Sequence, residues 1–105
     1  MIHELRHYIP AKGKAEALAK RFKDHVLPRF QPQGLTLLDY WESADGKGEI
    51  WYVMQWDDEA AMAQGWARWR SDPQWVAAKA ASETDGPLIA ETRSIVLRRP
   101  SYYSR

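Results

Sequence analysis

Residues Trp56 to Trp75, WDDEAAMAQGWARWRSDPQW, start and stop two helices within a single stretch, and the rest of the chain has to cover what those helices expose. Asp57 and Asp58 offer side-chain oxygens to the free N–H groups of a helix start, and Glu59 adds negative charge to its first turn. Met62, Trp66 and Trp69 then follow at i, i+4, i+7 spacing, one apolar stripe that calls for a covering surface. The helix should end near Arg70. Asp72 before Pro73 places a capping carboxylate ahead of a proline at the first helical position, so a second helix should open there with Trp75 in its first turn and run to about Ser82. By spacing, the tryptophan stripe reads as core before it reads as the wall of a pocket.

Upstream, Ile2 to Ile9 alternates, with Ile2, Glu4, Arg6 and Tyr8 on one face and His3, Leu5, His7 and Ile9 on the other, which predicts a strand with no purely polar side. Pro10 and Gly13 break it. Ala15, Leu18, Ala19, Phe22, Val26, Leu27 and Phe30 return at helical spacing, and Pro28 should kink or unravel the last turn toward Pro32 and Gly34. Leu35 to Glu42 and Glu49 to Trp56 read as a second and third strand, joined as an antiparallel hairpin through a loop that contains Asp45-Gly46. Thr84-Asp85-Gly86-Pro87 then turns the chain into a fourth strand, Ile89 to Arg98, followed by an extended tail.

The order β-α-β-β-α-β is the split βαβ of the ferredoxin-like α+β fold, a four-stranded antiparallel sheet with its helices on one face. Tyr8, Leu38, Tyr40, Trp41, Trp51, Tyr52, Val53 and Met54 put large groups on both faces of that sheet. A second sheet packed face to face would cover the side the helices leave bare, so a homodimeric α/β barrel is expected. Size points the same way. A chain of 105 residues is one domain, residues 1–105, that buries roughly 60–70% of its unfolded surface, while it carries six Trp, five Tyr and two Phe. Rings left over would form an exposed patch unless a partner covers them.

Fifteen basic and fourteen acidic residues are interspersed for a net charge of +1, which gives no field for nucleic acid or an anionic membrane. Lys47 to Val53 faintly echoes an RNA-binding strand, but Glu49 stands where that strand needs an aromatic. With no cysteine there is no disulfide, thiolate metal site or cysteine nucleophile. No apolar run approaches the roughly 20 residues of a membrane span and the N-terminus turns polar by His3, so a cytoplasmic protein is expected.

Glu4-Leu5-Arg6 with Tyr8, Gly13-Lys14, His25-Val26-Leu27-Pro28, Gly34, Tyr40-Trp41, Trp56-Asp57, Asp72-Pro73 with Trp75, and Leu97-Arg98-Arg99-Pro100 together resemble the NIPSNAP family over nearly the whole chain. The resemblance implies a homodimer whose paired sheets enclose a cavity, and little about chemistry. Two positions depart from the family pattern: Met62 and Trp66 stand where arginines are common, and Gly48 where an Asn is. The cavity or interface should therefore be more aromatic than in relatives.

Glu4, Arg6 and Tyr8 share a strand face, and Glu91 with Arg93 repeats the arrangement on the neighbouring fourth strand. Two readings follow: a polar cluster that orients a small ligand with a hydrogen bond from Tyr8 or Tyr52, or a structural ion-pair lattice, which buried charges favour. Arg6, Tyr8, Trp41, Tyr52 and Arg93 are the candidate ligand-binding residues, and Tyr8, Asp39 and Tyr52 the candidate catalytic ones. Asp39 would be a base if its side chain faced a cavity and lost water; on an edge strand it would instead guard against strand addition, the preferred reading. His3 and His7 have no third ligand nearby, so no metal is expected, and no cofactor. Two functions remain open: a homodimer that binds a small hydrophobic or aromatic molecule, or a cofactor-independent monooxygenase or isomerase acting on an aromatic metabolite. A cavity on which Arg6, Tyr8, Tyr52 or Asp39 converge would favour the second.

Overall fold

In the computed structural model, which describes residues 1–105, the alternating N-terminal stretch forms strand β1, Ile2–Pro10, at the centre of a four-stranded sheet. Strands β2, Thr36–Glu42, β3, Ile50–Trp56, and β4, Ile89–Leu97, complete it in the order β2-β3-β1-β4. Every neighbouring pair is antiparallel. This is the ferredoxin-like arrangement read from the sequence.

Residues directly opposite one another share a face, so the register sorts the side chains. Glu4, Arg6 and Tyr8 stand opposite Met54, Tyr52 and Ile50 on one side and Val96, Ser94 and Thr92 on the other. That face lies under the helices, where Ile50, Tyr52 and Met54 lose their solvent entirely to Leu18, Phe22, Phe30 and Trp69. His3, Leu5 and His7 share the other face with Gln55, Val53 and Trp51, and with Leu97, Ile95 and Arg93. The chain covers it only in part, where Pro100 and Tyr103 of the tail come beside His3, Trp41 and Val53: Trp41, Ile95 and Leu97 are each still about half exposed. All four tryptophans of the Trp56–Trp75 stretch belong to the helix side, and Trp41 and Trp51 to the open one.

The first helical segment is not a plain α-helix. It runs as α1, Ala15–Arg21, a π-helical turn over Phe22–Val26, and a short α2, Leu27–Phe30. The apolar residues explain the turn. Leu18, Phe22, Val26 and Phe30 are all buried at strict four-residue spacing, and three such steps would drift by about 120° around a straight helix of 3.6 residues per turn. One wider turn, in which the Leu27 N–H reaches back five residues to the Phe22 carbonyl, cancels much of that drift and keeps all four on the sheet. Pro28, read as the site of a kink, has no N–H to give, and the irregularity falls on the turn before it.

Helix α3, Glu59–Ser71, is capped by Asp58, whose Oδ1 accepts from the Ala61 N–H at 2.7 Å. Asp72 closes α3 and caps α4, Pro73–Ser82, accepting from the Gln74 N–H at 3.4 Å, and it also pairs with Arg29 of α2. Both breaks fall where the Asp-Asp and Asp-Pro signals put them. Gly65 is the point of closest approach between α3 and the sheet: a Cβ there would come within 2.3 Å of the Trp56 ring and 3.1 Å of Leu35. Gly65→Ala is therefore expected to destabilise the protein by about 1–3 kcal/mol, because overpacking outweighs the roughly 1 kcal/mol gain in helix propensity, measurable as a lower urea midpoint.

Candidate functional site

Under the helices the sheet face is not sealed. A cavity of about 190 Å³ opens between β1 and β3 below and α1, the π turn, α3 and α4 above. Its walls are aromatic: Phe22 and Phe30 from the first helical segment, Trp66 and Trp69 from α3, and Trp75 from α4. Tyr8 and Tyr52 reach it from the sheet, with Arg6 between them. Phe30 sits 5.1 Å from Trp69, and Trp69 5.2 Å from Trp75, ring centre to ring centre.

The polar end of the cavity is built on Glu4, a carboxylate that is only 2% exposed and accepts four hydrogen bonds. Trp56 and Trp66 donate their indole N–H groups to Oε1 at 3.1 and 2.8 Å. Arg6 Nη1 and Ser94 Oγ donate to Oε2 at 2.9 and 2.5 Å. Burial alone would raise its pKa, but the hydrogen bonds from Ser94 and Trp66 and the charge of Arg6 outweigh that and hold it below the ordinary 4.5. Glu4 is an anion that fixes its neighbours.

Arg6 is what it fixes. Its Nε–H lies 2.9 Å from the Tyr52 oxygen and 3.3 Å from that of Tyr8, Nη2 donates to Tyr8 at 2.8 Å, and the Trp66 ring lies 4.6 Å from the guanidinium carbon. Burial disfavours the charge, yet Tyr52, Tyr8 and Glu4 together raise its pKa above the free-arginine value. The two phenol oxygens are 2.9 Å apart. Only one of their two O–H groups can donate within the pair, so one phenol hydrogen remains for something else. Burial, then the neighbouring Tyr8, pushes the Tyr52 phenol well above 10 against the pull of Arg6, so it stays protonated.

A second arginine lines the same cavity. Arg21, the last residue of α1, is 3% exposed; its Nη1 donates to Ser82 Oγ at 3.0 Å and Glu83 Oε2 at 2.8 Å, and its guanidinium faces the Trp75 ring at 5.3 Å. Its buried Nε–H has no acceptor. Arg70 and Lys79, both exposed, complete the lining on the helix side. No Asp, Glu or His lines the cavity.

Of the residues singled out in the sequence, Arg6, Tyr8 and Tyr52 meet in this cavity, and Trp41, Asp39 and Arg93 do not. Arg93 stands opposite His7 on the open face, exposed and bonded to Glu91 at 3.0 Å, so the two Glu-Arg pairs of β1 and β4 lie on opposite faces of the sheet. Their numbering concealed this, because Ser94, not Arg93, stands opposite Arg6. Trp41 pairs with Trp51 on the open face. Asp39 is exposed on the edge strand β2 and accepts from the Tyr40 N–H, as the edge reading has it. The tryptophan stripe, expected as plain core, also walls the cavity through Trp66 and Trp69. Arg21, Trp75 and Lys79 were not anticipated; the available signal was Arg21 beside Phe22 on the apolar side of its helix. His7, on the open face, stacks on Trp51 at 3.7 Å and meets Glu49 Oε1 at 2.5 Å. No group of three or more His, Cys, Asp or Glu side chains converges as a metal site, and no helix is long and apolar enough to cross a membrane.

A family model for NIPSNAP matches residues 3–104. Among solved structures, an uncharacterised NIPSNAP domain protein of Burkholderia xenovorans is 22% identical with a TM-score of 0.79, each chain covered in full. A NIPSNAP family protein of Agrobacterium tumefaciens is 18% identical with a TM-score of 0.80, over 96% of this chain and 94% of its own. A structure described as an antibiotic biosynthesis monooxygenase shares the fold at 9% identity and a TM-score of 0.68, over 95% of this chain and 99% of that one. No curated protein matches.

Proposed function

The chain belongs to the NIPSNAP family, and from that premise we propose that it is a homodimeric binding protein whose cavity beneath the helices holds a small ring-bearing molecule. One observation carries the reading: five aromatic side chains of the helices surround a cavity at whose polar end Arg6, Tyr8 and Tyr52 hold hydrogen-bond donors in excess of their acceptors. An apolar surround with a few fixed polar groups is the usual make-up of a ligand site. Size limits the occupant. An apolar cavity of about 150 Å³ accommodates benzene, so about 190 Å³ suits a single substituted ring.

The alternative is a cofactor-independent monooxygenase or isomerase acting on an aromatic metabolite. It is favoured by the uncommitted phenol hydrogen beside Arg6, which could steady an oxygen that gains negative charge, and by the fold shared with a monooxygenase. Proton abstraction is less well served, because the lining offers no carboxylate or imidazole to act as base. Binding is therefore the primary reading.

The dimer is proposed on the open face, where Leu5, Val53, Trp41, Trp51, Ile95 and Leu97 form an apolar surface suited to a second copy. Sedimentation at micromolar concentration should give twice the 12.2 kDa chain mass, and Ile95→Lys should shift it to the monomer; a wild-type monomer sinks the dimer. The binding reading is tested by a thermal-shift and tryptophan-fluorescence screen of single-ring compounds. A ligand at a hundred times its Kd should add about 2.7 kcal/mol to stability, and silence across the screen would count against the cavity as a site.

A further inference from the structure

We propose that the occupant of this cavity is an aromatic carboxylate, its ring between the helix tryptophans, its carboxylate drawn to Arg21, Lys79 and Arg70, and an oxygen substituent at the Arg6–Tyr8–Tyr52 end. This rests on the cavity being a ligand site. The charges of the lining set the orientation. Arg6 already has a dedicated counter-ion in Glu4, so the sheet end of the cavity is an ion pair with hydrogen-bond donors to spare rather than an unmatched charge. Two of the five guanidinium N–H groups and one phenol hydrogen are left for a hydroxyl or carbonyl oxygen there.

The helix end is different. Glu83 is shared between Arg21 at 2.8 Å and Lys79 at 3.5 Å, and Arg70 of the same wall is in no ion pair. Among these three cations of the lining, the one carboxylate in ion-pair contact is Glu83. Arg21 is the buried member: its side chain is 2% exposed, it lines the cavity, and its one carboxylate partner is the Glu83 it shares with Lys79. An anionic oxygen entering here would meet an excess of positive charge and accept charge-assisted hydrogen bonds from it. Phosphate monoesters would share the attraction, so phenyl phosphate, which has as many non-hydrogen atoms as 4-hydroxyphenylacetate, is titrated beside the acid, and tighter binding of the phosphate would overturn the carboxylate.

The probes are 4-hydroxyphenylacetate, its uncharged amide and phenylacetate, titrated against the full chain by tryptophan fluorescence and thermal shift. In the wild-type protein the acid should bind at least about tenfold tighter than the amide, the size of one charge-assisted hydrogen bond. The double variant Arg70→Gln, Lys79→Gln changes only exposed groups, so it should fold, and it should lose most of that preference while still binding the amide. Arg21→Gln should do the same if it folds; the double variant decides if it does not. Phenylacetate should bind more weakly than the hydroxylated acid, and Tyr8→Phe should narrow that gap. Equal binding of acid and amide overturns the anionic assignment and leaves the cavity a ligand site. No binding by any of the three overturns the site itself. In the double variant Arg21 is left balanced by Glu83, so a preference that survives it places the carboxylate elsewhere and overturns the orientation.

Discussion

Glu4→Gln is expected to destabilise the protein by about 3–5 kcal/mol, the usual penalty for removing one partner of a buried ion pair. A glutamine keeps one acceptor oxygen for the indoles of Trp56 and Trp66, but its amide nitrogen must face Arg6 and Ser94, which are both donors to the native carboxylate. The Arg6 charge then has no counter-ion in a site from which it cannot readily lose its proton. In a domain of this size each kcal/mol is worth about 4–8 °C, so a fall in Tm of more than about 12 °C is the expected reading. The double change Glu4→Leu, Arg6→Met should cost less than the sum of its parts; strict additivity would mean that the two charges do not depend on each other. Acid should act through the same carboxylate. Its folded pKa lies below 4.5, so its contribution is complete above the unfolded value and is lost as the pH falls through the folded one. Urea midpoints measured downward from about pH 5 should therefore drop more steeply in the wild type than in Glu4→Gln.

Phe22→Ala is the second large effect, expected at about 3–5 kcal/mol. Phe22 is 2% exposed and its ring lies 5.5 to 5.6 Å from the rings of Tyr8, Tyr40 and Tyr52, so the loss removes a wall from the cavity and the packing that holds both phenols in place. Tyr40, already pushed up to about 12 by burial and then by Glu42, should titrate lower in this variant as water reaches it. Binding should change in the opposite direction to stability for bulky ligands: a two-ring compound too large for the native cavity should gain affinity, while single-ring probes lose it. A variant with unaltered selectivity would show that Phe22 supports the core without shaping the site.

Much of the architecture was legible in short-range chemistry. Asp58, Asp72 and Pro73 announce two helix starts because a capping carboxylate and a proline at the first position act on their own turn, whatever the rest of the chain does. Faces were harder to read. β1 carries Glu4 and Arg6 inward and Leu5 outward, against the usual sense of an amphipathic strand, since the buried carboxylate is satisfied by indoles that arrive from 52 and 62 residues away. On β2 the register slips between Leu37 and Asp39, so Leu37 pairs with Met54 on the helix side and Asp39 with Val53 on the open side. One extra residue reverses the side on which everything after it points, and nothing in LTLLDYWE declares it. Arg93 escaped for a related reason: its distance from Glu91 matches that of Arg6 from Glu4, but the pairing of β4 with β1 is set by which residues meet across the sheet. The π turn was hidden as well, although four apolar residues at unbroken four-residue spacing carry its signal.

That turn has a kinetic side. Phe22, Val26 and Phe30 form a wall of the cavity on a helix wound one residue wide and followed by a proline that donates nothing, whereas the facing wall, α3, is a regular helix fixed at its start by Asp58. Of the two facing walls, the one with the weaker ladder should open before α3, on a timescale that leaves the sheet intact. A ligand held there would gain a wider exit than the mouth beside Arg70 and Lys79 whenever residues 22–30 breathe, so its residence time should shorten as the amide exchange of that segment quickens.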